Sequence, residues 1–144
     1  MQEKSSISVQ QKPTAIVIDD DIDVVSVFCE YLSILDVDVL GCGHNGKDAM
    51  ELYEQKKPDI VFLDLIMPEY DGFYALEKIK AANPEAKIVM LTSNASQTVA
   101  EKLQRLGSSR IIPKPFEANM IIDVIDELRN QDKHKPHPKE ILVG

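Results

Sequence analysis

Three consecutive carboxylates, Asp19, Asp20 and Asp21, follow directly on the apolar run Ala15-Ile16-Val17-Ile18. Two carboxylates about 4 Å apart repel by roughly 4 kcal/mol at an effective dielectric near 20, so such a cluster is costly unless a cation or a proton neutralises it. Alone, the triplet reads equally well as a solvated turn with an Asp capping the next helix. Other residues with chemical potential occupy comparable places. Asp64 closes "DIVFLD", Thr92 and Ser93 follow "IVML", and Lys114 follows "RIIP". Singly, Asp64 could begin a turn, Thr92 could cap a helix and Lys114 could be an ordinary surface lysine. Together they converge: an acid pair, a lone acid, a hydroxyl and a lysine all stand at the ends of apolar runs, a set far less expected by chance than any one member.

The runs themselves are short and β-branched, at 15–18, 37–40, 60–63, 88–91 and 111–112, and stretches of helical periodicity separate them. Val25, Phe28, Leu32 and Leu35 mark the first helix, Ala49, Leu52 and Tyr53 the second, and Phe73, Leu76 and Ile79 the third. Val99, Leu103 and Leu106 mark the fourth, with Gly107 as its C-terminal stop, and Ile121, Val124, Ile125 and Leu128 the fifth. The first, third and fourth runs are apolar almost without alternation, as parallel strands covered on both faces are. The expected fold is therefore an open α/β sandwich built from βα units. In such a sheet ligands bind outside the carboxyl ends of the strands, which is where the polar residues collect.

Composition excludes several classes. The 144 residues fit one domain able to bury a core, and 28% charged with 44% hydrophobic residues is a globular balance. No apolar run approaches the ~20 residues that span a bilayer. The N-terminal "MQEKSSISVQQKP" lacks the apolar stretch of a secretory signal. The net charge of −8 argues against a nucleic-acid surface. Two cysteines, Cys29 and Cys42, sit among apolar neighbours; both are expected as core filler in a reducing, cytoplasmic compartment. Residues 1–13 and 131–144 read as tails around a domain at 14–130. His134 and His137 in the second tail have a spacing that could touch a metal, although no further ligand lies nearby and a solvated tail is the favoured reading.

"VIDDD", "FLDLIMPEYDG", "MLTS" and "PKPF", in that order, resemble the receiver domain of two-component response regulators over about Thr14 to Asn130, and most of all the single-domain regulators of the chemotaxis type. A receiver excised from a longer regulator with an output domain fits equally. The resemblance implies a doubly wound, flavodoxin-like sheet of five parallel strands in order 2-1-3-4-5. It implies a Mg²⁺ site in which Asp20 ligates directly, Asp19 largely through water, and the Asp64 carboxylate and the Ile66 carbonyl complete the protein's share. Asp64 would take a phosphoryl group from the phosphohistidine of a sensor histidine kinase or phosphotransfer protein. Thr92 and Lys114 would balance the transferred charge, and phosphorylation would switch binding to a downstream protein. Such a chain is not a conventional enzyme; it catalyses its own aspartyl phosphorylation and slow dephosphorylation. The resemblance also implies a cis peptide before Pro115. Asp21 is left to cap the helix from Ile22, and Gly72 is expected to supply a positive φ in "EYDG".

Two positions bear on how the family pattern works here. Ile111, three residues before Lys114, stands where the family often has an aromatic, so a rotamer switch coupled to Thr92 is not expected of this chain. In the family that these motifs resemble, the side chains two residues after the nucleophile and two after the Thr border the path of the hydrolysing water; here they are Ile66 and Asn94. Rival readings fit less well. A flavin binder of the flavodoxin type would meet repulsion between its phosphate and the three aspartates. A haloacid-dehalogenase-like phosphatase expects Asp two residues after its nucleophile, where Ile66 stands. A binding module that keeps the fold without phosphorylation would have no need of the intact acid, Thr and Lys set.

Overall fold

The computed structural model describes residues 12–94 and 96–133; most of the two expected tails, with His134 and His137, lies outside the described residues. Five strands, β1 (Thr14–Ile18), β2 (Asp38–Gly43), β3 (Ile60–Asp64), β4 (Lys87–Thr92) and β5 (Arg110–Pro113), form one parallel sheet in the order β2-β1-β3-β4-β5. Helices α1 (Ile22–Ile34), α2 (Gly46–Lys56), α3 (Gly72–Ala82), α4 (Gln97–Arg105) and α5 (Ala118–Lys133) alternate with them. This is the doubly wound, flavodoxin-like arrangement expected, with its order reversing between β1 and β3.

Strand periodicity divides the core in two. Ala15 and Val17 of β1 point to the face shared with Phe28 and Leu32 of α1 and Ile125 and Leu128 of α5. Ile16 and Ile18 point to the opposite face, against Ala49, Leu76, Ile79 and Leu103 of α2, α3 and α4. Residues 15–18, 61–63 and 88–91 are wholly buried, which is why their sequence shows no polar alternation. The helices stop and start where their local chemistry directs. Asp21 accepts from the N–H groups of Asp23 and Val24 as the cap of α1, and Asn45, Asp71 and Ser96 cap α2, α3 and α4. Gly107, at φ +100°, ends the turn after α4 as expected.

Three expectations need correction. β2 does not end at Leu40 but continues to Gly43, with a register shift opposite Ala15 and Ile16; the Gly-Cys-Gly extension carries no β-branched signal, yet it completes the ladder beside β1. Cys42 is exposed on this edge strand and Cys29 is only half-buried, so the two thiols are not core filler. Gly72 does not have a positive φ; that conformation falls to Glu69, at φ 67°. Glycine at 72 answers close packing instead, because a Cβ there would lie 2.5 Å from the Asp64 carbonyl oxygen and 2.7 Å from Leu65 Cα.

Candidate functional site

The carboxyl ends of β1, β3, β4 and β5 bring together Asp19, Asp20, Asp64, Thr92 and Lys114. Asp19, 1% exposed, is held from three directions. Its N–H donates to the Gly43 carbonyl (3.1 Å), Oδ1 accepts from the Asp21 N–H (3.0 Å), and Oδ2 accepts from Lys114 Nζ (2.6 Å). Asp64 closes β3 with its carboxylate buried, and its Oδ1 accepts from the same Lys114 Nζ at 3.3 Å. Asp20 is exposed at the mouth. Asp19, Asp20 and Asp64 each present an oxygen within 4.8 Å of the others. Asp21 is turned away into its capping role.

Electrostatics follow from this crowding. Burial, and then the neighbouring charge of Asp19, push the Asp64 carboxyl up to about 6, an effect that Lys114 only partly offsets. Burial opposes the Lys114 charge, but its hydrogen bond to Asp19 and the charges of Asp64 and Asp19 outweigh this and leave the ammonium above its ordinary range. Lys114 pairs with Asp19 and Asp64 but not with Asp20, so three carboxylates share one lysine and the mouth of the site remains suited to a further cation. All-oxygen donors crowded on one side of an open pocket match what Mg²⁺ accepts: a few carboxylates, with its remaining positions left to water or substrate.

Lys114 directly follows β5; its N–H donates to the Thr92 carbonyl (2.8 Å), and its peptide bond to Pro115 is cis. The Thr92 side chain does not reach the acids. Its hydroxyl accepts from the Asn94 N–H at 2.9 Å and faces the Asn94 carbonyl at 3.4 Å, a long contact. Ile66 projects into solvent, 61% exposed, and Ile111 is half-buried against the second core face. One neighbour was not expected: His44, whose Nδ1 lies 3.3 Å from the Asp19 carbonyl oxygen. With β2 taken to end at Leu40, His44 stood outside the ring of strand ends; extending β2 to Gly43 brings it in.

The same chain is matched from residue 15 to residue 126 by the family profile described as the response regulator receiver domain. The chemotaxis protein CheY of Listeria monocytogenes is 31% identical over 112 residues, which span 78% of this chain and 94% of that protein. Among solved structures, a CheY-like receiver domain protein from Methanospirillum hungatei superposes with a TM-score of 0.80 at 19% identity, over 87% of this chain and 99% of that one. The CheX-CheY-BeF3-Mg²⁺ complex from Borrelia burgdorferi superposes with a TM-score of 0.75 at 20% identity, over 83% and 87%. Structural likeness at these identities speaks for the fold. The profile and the Listeria relative speak for descent, and by them the chain belongs to the response regulator receiver domain family of two-component signalling.

Proposed function

We propose that this receiver accepts a phosphoryl group on Asp64 from the phosphohistidine of a sensor histidine kinase or phosphotransfer protein in the cytoplasm, with Mg²⁺ as cofactor, and so changes its affinity for a downstream protein. The observation that carries the proposal is Lys114 Nζ between Asp19 and Asp64, with the three carboxylates gathered beside it. Asp20 would hold the ion directly and Asp19 through water, with the Asp64 carboxylate and the Ile66 carbonyl completing the set. Bound there, Mg²⁺ would neutralise phosphoryl oxygens and offset the repulsion among the acids.

The chain's own groups do the rest. An Asp64 carboxylate oxygen forms the bond to phosphorus as the phosphorus–nitrogen bond to the donor imidazole breaks. The electron pair stays on the ring nitrogen, which then takes a proton. Even pushed up to about 6, the Asp64 carboxyl is largely ionised at neutral pH and is the more basic nucleophile for the shift. Lys114 moves part of its hydrogen bonding onto a phosphoryl oxygen, and its long contact to Asp64 is the one given up most easily. The Thr92 hydroxyl must leave the Asn94 carbonyl to donate to the phosphoryl group, which draws the loop after β4 toward the site. With Ile111 in place of an aromatic, that loop movement carries the signal without a ring flip.

Exposed Ile22 and Ile66 stand close in sequence to the acids, and a partner that covers them would desolvate the transfer. Among the described residues no helix is long and apolar enough to cross a membrane. The proposal is tested by incubating the protein with phosphoramidate and Mg²⁺. A gain of one phosphoryl group by intact mass, absent in Asp64→Ala, supports it; equal labelling of that variant refutes it.

A further inference from the structure

Cys29 of α1 and Cys42 on the edge strand β2 have their sulfurs 3.5 Å apart, although 13 positions separate them in the chain. Cys42 is exposed and Cys29 half-buried against the first core face, so one sulfur is open to solution and the other waits behind it. The flanking glycines sharpen this placement. A Cβ at Gly41 would meet Leu52 and one at Gly43 would meet Asp48 and Leu52, both on α2, so alternation along β2 turns Cys42 to the opposite, α1 face.

We propose that Cys29 and Cys42 are a reversible disulfide site, oxidised by small-molecule disulfides of the glutathione type. The exposed Cys42 thiolate attacks one sulfur of the oxidant, forming a mixed disulfide and expelling the first small thiolate. The Cys29 sulfur, after giving up its proton, then attacks the Cys42 sulfur and expels the second. Two protein thiols lose two electrons in total, the oxidant's disulfide gains them, and both protons end on the departing small thiols. Geometry assigns the order of attack: Cys42 is the sulfur open to solution, while burial, and then the neighbouring Cys42 thiol, push the Cys29 thiol up and keep it from meeting the oxidant first. Nothing in the fold demands this bond, since both elements are placed by the core; in reducing surroundings such a pair senses redox state rather than holding the fold.

The position of the pair gives the modification something to act on. Gly43, next to Cys42, accepts the Asp19 N–H, and the N–H of Asp21, the cap of the helix that carries Cys29, donates to Asp19 Oδ1. The bond would therefore tie together the two elements that hold Asp19 in place.

The test uses the full chain in glutathione buffers of rising disulfide fraction, read by intact mass and peptide mapping. The parent is expected to lose two hydrogens, to yield a Cys29–Cys42 linked peptide, and to recover fully with dithiothreitol. Glutathione adduct on Cys42 is expected to be about tenfold more abundant in Cys29→Ser or Cys29→Ala than in the parent, because only the parent can resolve it. Cys42→Ser should remain unmodified at Cys29. Should both Cys29 variants fail to fold, the mapped linkage in the parent decides alone. A parent that stops at the Cys42 adduct, forms disulfide dimers, or stays reduced where the Cys29 variants are modified overturns the proposal.

Discussion

Lys114 Nζ lies 2.6 Å from Asp19 Oδ2, its closest carboxylate partner, and in holding that buried acid it also leans over Asp64 at 3.3 Å. The pair joins the end of β1 to the residue after β5 across the strand ends between them. Removing the lysine leaves Asp19, almost fully enclosed, with no cation while Asp64 and Asp20 still repel it. Lys114→Met is expected to lose about 1–3 kcal/mol of stability in chelator, and Mg²⁺ should restore part of it. Urea unfolding of both proteins with and without the ion measures this.

Asp64 supplies a pH dependence whose sign is fixed by its raised carboxyl. The ordinary value is 3.8 and the folded value about 6, so the folded chain holds this proton more tightly than the unfolded one. Relative to its protonated state the carboxyl carries no cost well below 3.8, destabilises the fold progressively as pH rises between these values, and keeps that penalty above about 6. Asp64→Asn escapes the penalty. In chelator its melting temperature should match the parent's near pH 4, and the gap should widen to a stabilisation of about 1–3 kcal/mol by pH 7, allowing for screening at the open mouth. A gap that shrinks with rising pH would run against this reading.

Neighbouring aspartates should separate by role. Asp20→Asn is expected to abolish most of the rise in melting temperature produced by Mg²⁺, which approaches about 2.7 kcal/mol at a hundred times the dissociation constant. Asp21→Ala loses the α1 cap, so it should cost about 1 kcal/mol of stability with or without the ion, leaving the Mg²⁺ increment in place. Thermal melts across a Mg²⁺ titration distinguish the two.

The lifetime of the phosphoryl group should be long. Ile66, two residues past Asp64, can neither donate to an attacking water nor accept from it, and Asn94 commits its Oδ1 to the Ser96 N–H at 3.2 Å. A difference of 1.4 kcal/mol in orienting that water corresponds to about tenfold in rate. Ile66→Asn is expected to shorten the half-life of the phosphorylated protein by about that factor, followed by loss of phosphoryl mass after the donor is removed. If the variant decays no faster, the side chain at 66 does not set the lifetime.

What could be read from the residues alone divides along physical lines. β1, β3 and β4 announce themselves because both of their faces are covered, so every position is apolar and the acid or hydroxyl at each end stands out. Asp21 was legible as a cap because its partners are the next residues in sequence. β2 was cut short because an edge strand need not be apolar, and Gly41, Cys42 and Gly43 carry little strand signal. The loss of that end hid His44 and misplaced Cys42 in the core. Gly72 was correctly singled out for the wrong reason: the crowding by Asp64 and Leu65 depends on how α3 returns over β3, which no local pattern encodes. The Thr92 hydroxyl bonds within its own loop, a rotamer choice that spacing does not reveal.

The most direct measurement is a site map of the phosphorylated protein. After treatment with phosphoramidate, with Mg²⁺ or with chelator, borohydride reduction converts an aspartyl phosphate to homoserine, and peptide sequencing by mass spectrometry locates it. The account predicts homoserine at position 64, dependent on the ion and strongly reduced in Asp20→Asn and Lys114→Met. Homoserine at Asp19 or Asp20 instead, or equal conversion at position 64 in chelator, would contradict it.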